Sequence, residues 1–152
     1  MAKTTEKFEV IPFVPYRNYR NDALNTDFYE FTMANAIYLL GMKDVQLVFD
    51  CFFRKNPVTK DGTETGYSIS AGQEQLTEFL MNYHFDEVAC KYLLYKGMDP
   101  EFVKYLSTYK WKGTMYAMPE GTVAYPNETM VRIKCDAIGA IHSNYFADIA
   151  LA

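Results

Sequence analysis

The stretch Val45-Gln46-Leu47-Val48-Phe49-Asp50-Cys51-Phe52-Phe53-Arg54 decides the fold class of this chain. Val45, Leu47, Phe49, Cys51 and Phe53 recur with a period of two, so they share one face of an extended strand. Val48 and Phe52 make the other face partly apolar, and cover on both faces is therefore expected. Just upstream the period changes to that of a helix. In residues 26–40, Tyr29, Met33, Ala36, Ile37 and Leu40 form one apolar stripe. Thr26 or Asp27 suits the N-cap, Glu30 stands at the capping-box spacing from Asp27, and Gly41 suits the left-handed residue that ends a helix.

Working outward, residues 56–66 carry Pro57, Asp61, Gly62 and Gly66, the chemistry of turns. Residues 67–71 alternate as a short second strand. Three helices are expected next. The first, 73–83, aligns Leu76, Phe79, Leu80 and Tyr83. Asp86 caps the second, which stops at Gly97; Asp99 caps the third, with Pro100 at its first position and Phe102, Tyr105, Leu106 and Tyr109 as its stripe. Residues 115–118, 122–125 and 129–135 read as strands, separated by Pro119-Glu120-Gly121 and Pro126-Asn127-Glu128. Val131, Ile133 and Cys135 face one side of the last strand, Arg132 and Lys134 the other. Residues 137–152 are small, apolar and helical in pattern, with no cap or stop signal. Before residue 26, Pro12 and Pro15 interrupt a short apolar stretch, and an extended arm over 1–25 is expected.

Composition limits the function. The chain has 152 residues, 49% of them hydrophobic and 22% charged, which is ordinary for a globular domain and excludes wholesale disorder. Apolar runs are broken by Asp50, Arg54 and Asn82 before they reach the ~20 residues of a membrane helix. A net charge of −4 gives no basic footprint for nucleic acid. Three widely spaced cysteines, Cys51, Cys90 and Cys135, suggest neither a disulfide framework nor a zinc site. The first ten residues lack an apolar signal core, so a reducing cytoplasm is the expected location. Aromatics reach 16%, with 13 Tyr and 11 Phe, which suits a Tyr-rich core or an interface.

Familiar catalytic patterns are missing: there is no Gly-rich nucleotide loop, no His-Glu-x-x-His and no nucleophile elbow. No catalytic residue and no metal ligand is assigned, and His84 and His142 read as surface or packing histidines. Two segments carry candidate chemistry. The helix start Thr26-Asp27-Phe28-Tyr29-Glu30 offers unpaired N–H groups, and Tyr29 either joins the buried stripe or presents a flat ring to an aromatic ligand. Arg54 and Lys55 are either a solvated strand end or two cations aimed at a phosphate.

These segments also carry a resemblance. Thr26-Asp27-Phe28-Tyr29-Glu30-Phe31-Thr32-Met33 resembles the opening TD-x-Y-x-x-T-M helix of nicotinate phosphoribosyltransferases. Phe49-Asp50-Cys51-Phe52-Phe53-Arg54-Lys55 is similar to their FD-x-FFRK strand, Gly66-Tyr67 with Ala71-Gly72-Gln73-Glu74-Gln75 to GY…AG-x-EQ, and Pro119-Glu120-Gly121-Thr122 with Pro126-Asn127-Glu128 to PEGT…PNE. The four motifs occur in the family order across roughly residues 24–138.

The resemblance implies an α/β fold class: the α+β N-terminal domain of a type II phosphoribosyltransferase, helices plus a mixed or antiparallel sheet, over 26–138. It implies an enzyme of NAD salvage that joins nicotinate to phosphoribosyl pyrophosphate with ATP hydrolysis and Mg²⁺, in a cytoplasmic homodimer with a shared site. Tyr29 then matches the residue that stacks on the pyridine ring. Arg54, with Lys55 beside it, matches a contact to phosphoribosyl pyrophosphate. Residues 139–152 depart from the family pattern, and the barrel that should follow, with its phosphorylated histidine, is not in the sequence. The expectation is a piece inactive by itself; the competing expectations are a non-catalytic dimerisation or interaction module and a nicotinamide-using relative.

Overall fold

The computed structural model describes residues 22–150, so most of the arm expected over residues 1–25 lies outside the described residues. A 3-10 turn, Asp22–Leu24, leads into α1 (Phe28–Leu39), and Ala23 within it is buried in the core. There follow β1 (Gln46–Cys51), β2 (Ser68–Ile69), α2 (Gln73–Asn82), α3 (Glu87–Tyr95), α4 (Pro100–Thr108), β3 (Thr114–Ala117), β4 (Val123–Ala124), β5 (Val131–Asp136) and α5 (Ala137–Ala150). Among the described residues every strand pairing is antiparallel. The main sheet has the order β1-β5-β3, and β2 pairs with β4 in a separate ribbon. Helices and strands are segregated, which is the α+β arrangement.

The alternation of β1 and β5 sets the layers. Leu47, Phe49 and Cys51 pack inward with Val131, Ile133 and Cys135 of β5, where Phe49 pairs with Ile133 and Cys51 with Val131. α5 lies beneath this face, against β1, β5, α1 and α2. The outer face is open: Val48 and Phe52 are exposed, so the expected cover on both faces is absent among the described residues. An antiparallel sheet needs cover on only one face.

α1 departs from its expected stripe. Tyr29, Met33 and Leu40 are exposed, while Glu30, Phe31 and Ala34 are buried. The helix packs by the Phe31 side against α5, and Phe31 meets His142 with ring centroids 5.0 Å apart. Its sequence is apolar almost all round, so periodicity alone does not choose the seam.

α2 and α4 follow their stripes, and α3 its cap and stop. Leu76, Phe79, Leu80 and Tyr83 are buried, as are Leu93, Phe102, Leu106 and Tyr109. Asp86 accepts from the Ala89 N–H at 2.7 Å, and Asp99 accepts from Glu101 and Phe102 at 2.9 and 3.1 Å. Gly97, with φ +85°, lets the chain turn off α3.

The tail expected without a cap has one. Asp136, last residue of β5, accepts from the Gly139 N–H at 2.8 Å and from the Tyr109 hydroxyl at 2.8 Å. The strand therefore passes directly into α5, whose Ile138, Ala140, Ile141, His142 and Ser143 are buried.

Candidate functional site

Tyr29 sits in the first turn of α1, 58% exposed, because the buried face of that helix belongs to its neighbours Glu30 and Phe31. Asp27 holds the N-cap position, yet its carboxylate makes no capping hydrogen bond; its backbone carbonyl accepts from the Glu30 N–H at 3.0 Å. The expected side-chain cap from Asp27 is thus not made. Lys96, just beyond α3, brings its ammonium to 5.9 Å from the Phe28 ring and 5.6 Å from the Tyr92 ring. That cation beside the α1 start was not foreseen, since nothing in linear spacing ties residue 96 to residue 28.

Arg54 and Lys55 lie past the end of β1, which stops at Cys51 rather than at Arg54. Backbone hydrogen bonds still hold this segment: Met130 N–H donates to the Cys51 carbonyl at 2.9 Å and Asn127 N–H to the Phe53 carbonyl at 2.8 Å. Asn127 accommodates this with a left-handed φ of 67°, a conformation Asn tolerates better than most residues. An open cavity of about 640 Å³ lies here, lined by Phe53, Lys55 and Pro57, by Thr65, Tyr67, Ser68 and Ile69, and by Met130. Of the three candidate residues only Lys55 lines it. Arg54 is exposed on the bend, and Tyr29 stands on α1, outside that lining.

Three acidic residues of the motifs, Asp50, Glu120 and Glu128, prove to be fasteners. Asp50 is gripped across the sheet by Arg132, its register partner, through two hydrogen bonds of 2.6 and 2.7 Å. That guanidinium holds the Asp50 carboxyl below the usual carboxylate range. Glu128 accepts from the Tyr125 N–H at 2.8 Å and closes its turn. Glu120 accepts from the Gly72 and Glu74 N–H groups at 3.0 and 3.1 Å, capping α2 from a distant loop. Sequence reasoning missed these roles. The one available signal was that Gly72, before α2, has no side chain to cap with.

Among the described residues, no three His, Cys, Asp or Glu side chains are grouped to hold a metal ion. His84 is exposed. His142 is buried, with Nδ1 2.7 Å from the Tyr83 hydroxyl, and burial pulls its pKa down to about 3. Both histidines thus occupy the surface and packing places expected of them. No helix of the described residues is long and apolar enough to cross a membrane.

With this geometry in view, comparison with known proteins is informative. Residues 24–145 match the family model of the nicotinate phosphoribosyltransferase (NAPRTase) N-terminal domain. The chain is 39% identical over 119 residues to a nicotinate phosphoribosyltransferase, pncB2, of Mycobacterium tuberculosis (strain ATCC 25618 / H37Rv), covering 78% of this chain and 24% of the relative. It is 34% identical over 114 residues to a nicotinate phosphoribosyltransferase of Caenorhabditis elegans, covering 72% of this chain and 19% of the relative. The fold resembles that in the crystal structure of human nicotinic acid phosphoribosyltransferase, with a TM-score of 0.66 at 24% identity over 78% of this chain and 24% of that one. The chain thus spans about a fifth to a quarter of the length of these relatives.

Proposed function

The chain belongs to the nicotinate phosphoribosyltransferase family, matching its N-terminal domain, and from that premise we propose that it forms the substrate-facing N-terminal part of such an enzyme. In this reading the assembled enzyme joins nicotinate to phosphoribosyl pyrophosphate, coupled to ATP hydrolysis, in NAD salvage. The observation that carries it is the exposure of Tyr29: an aromatic ring in the first turn of α1, more than half open to solvent.

The chemistry follows from the reactants. The pyridine nitrogen attacks the ribose carbon as pyrophosphate leaves, so positive charge develops on the sugar and negative charge on the leaving group. Acceleration comes from orientation and from stabilising those charges. Tyr29 stacks on the pyridine ring and fixes the angle of attack. Arg54 binds the pyrophosphate with its planar fork, and Lys55 adds a point charge at the cavity edge. The Mg²⁺ and ATP of the full enzyme belong to the same proposal, with no ligand for either assigned among the described residues. A homodimer that shares its site, and a cytoplasmic location, belong to the same proposal.

A second reading, an interaction module without catalysis, draws on the open sheet face, where Val48, Phe52 and Tyr116 are exposed. A chimera separates the two. Residues 1–152 replace the matching N-terminal stretch of the Bacillus subtilis relative, itself 31% identical over 119 residues. Formation of nicotinate mononucleotide from nicotinate and phosphoribosyl pyrophosphate is the expected result. A folded, dimeric chimera that neither turns over nor binds nicotinate rejects the enzymatic reading in favour of the module.

A further inference from the structure

The ribbon that walls the Lys55 cavity is too short to hold itself. β2 and β4 have two residues each, paired Ser68 to Ala124 and Ile69 to Val123, and a lone two-stranded ribbon is at best marginal in water. The cavity-lining residues Tyr67 and Ile69 are also exposed, so burial of their own side chains does little to fix them. α2 is anchored by contrast, with Leu76, Phe79 and Leu80 in the core. The link between ribbon and helix is polar. The Ser70 N–H donates to the Thr122 carbonyl and the Gly121 N–H to the Ser70 carbonyl, each at 2.8 Å. Gln73 Nε2 donates to the buried Ser70 hydroxyl. Glu120 Oε1 takes both the Gly72 and Glu74 N–H groups at the α2 N-terminus, where Gly72 holds a left-handed φ of 97°.

We infer that Glu120 is a positioning residue: by capping α2 from the β3–β4 loop, its carboxylate clamps the β2–β4 ribbon to the helix and sets the wall of the cavity that Lys55 lines. One oxygen receiving two amides at a helix N-terminus is a charge-assisted cap that also favours the helix dipole. The residue touches no reacting atom and acts through Tyr67, Ser68 and Ile69. This role depends on the reading of Lys55 as a substrate contact only for its effect on turnover.

The test uses the 152-residue chain itself and needs no turnover, so its failure and the failure of the chimera are distinguishable. Amide exchange is followed by NMR at Gly72 and Glu74, with β5 amides as controls, together with the Tyr67 ring and Ile69 methyl signals. Glu120→Ala is expected to speed exchange at both amides about tenfold, the size a lost cap produces, and to move the Tyr67 and Ile69 signals while β5 stays protected. Glu120→Gln keeps an oxygen acceptor without the charge and is expected to restore both readouts part of the way to the unaltered chain. Unmoved Tyr67 and Ile69 signals in Glu120→Ala overturn the positioning role, and so does a Glu120→Gln protein that behaves like Glu120→Ala. If Glu120→Ala does not fold, Glu120→Asp, which retracts the oxygen by one methylene, is read by the same two criteria.

Discussion

Arg132 and Asp50 face one another across the β5–β1 pair, and the guanidinium holds the carboxylate by two bonds of 2.6 and 2.7 Å on the open side of the sheet. The pair ties the centre of the sheet to the strand that delivers Arg54 and Lys55. Because the Asp50 pKa is depressed in the folded chain, chiefly by the hydrogen bond from Arg132, the stabilisation is present above the unfolded carboxylate value and is lost as pH falls through the folded one. Arg132→Ala should therefore lower the melting temperature modestly at neutral pH and by less at acid pH, as Asp50 takes up its proton. Thermal unfolding at the two pH values checks this; an equal loss at both would assign the effect to packing of the Arg stem.

Tyr29→Ala should separate binding from folding. The ring is mostly outside the core, so the melting temperature of the chain should barely change. In the chimera with the Bacillus subtilis relative, the nicotinate KM should rise by the equivalent of about 1–3 kcal/mol, the usual worth of an aromatic ring stacked on a base. Steady-state kinetics at saturating phosphoribosyl pyrophosphate make the measurement. An unchanged KM removes Tyr29 from the site.

Arg54 and Lys55 differ in setting, and their variants should differ too. Lys55 lines the cavity and Arg54 stands on the bend outside it. In the chimera, Arg54→Ala and Lys55→Ala should each raise the KM for phosphoribosyl pyrophosphate, and Arg54→Lys should fail to restore it, because the ammonium lacks the planar fork. Both variants should fold normally. An unchanged KM in both would make the two cations solvated residues of the bend after β1.

How far such roles can be read from the sequence depends on how local their physics is. α3 and α4 are legible because each has a side-chain cap within its first turn: Asp86 for Ala89, Asp99 for Phe102. α1 is not, because Phe31 and Ala34 compete with Tyr29, Met33 and Leu40 for the seam, and only the position of α5 chooses between them. The Asp136 cap is hidden because the same residue ends β5, and the Glu120 cap because it acts across 46 residues. Tyr29, Arg54 and Lys55 stood out mainly through family resemblance. By pattern alone each had an ordinary structural reading.

His142 should make stability fall in mild acid. It is buried among Phe31, Phe85 and Tyr83, and desolvation lowers its pKa from 6.5 to about 3. The unfolded chain then binds a proton that the folded chain refuses, so stability is fully present above about pH 6.5 and declines as pH falls toward the folded value. The slope for one proton is at most about 1.4 kcal/mol per pH unit. His142→Asn keeps a hydrogen-bonding group for the Tyr83 hydroxyl but does not titrate. Denaturant unfolding between about pH 6.5 and pH 5, above most carboxylate titrations, should show a flatter dependence in the variant. Parallel slopes in the two proteins would acquit His142.

Gly139→Ala tests the junction of sheet and helix by a reversal of sign. In an exposed helix interior, Gly to Ala stabilises by about 1 kcal/mol through backbone entropy and propensity. Gly139 lies in the first turn of α5, where an added Cβ would run into the Tyr109 hydroxyl and approach Cys135 Sγ to 2.6 Å. Tyr109 cannot simply swing away, because its hydroxyl donates to Asp136, which also caps α5 through the Gly139 N–H. The clash therefore falls on the cap and on the inner face of β5 together. Overpacking of this kind costs about 1–3 kcal/mol, enough to outweigh the propensity gain. Gly139→Ala should thus lower the denaturant midpoint, and adding Tyr109→Phe, which removes the clashing hydroxyl, should recover part of the loss. A Gly139→Ala protein as stable as the original would mean that α5 shifts along the sheet at little cost, and that the strand-to-helix junction is looser than the shared Asp136 contacts imply.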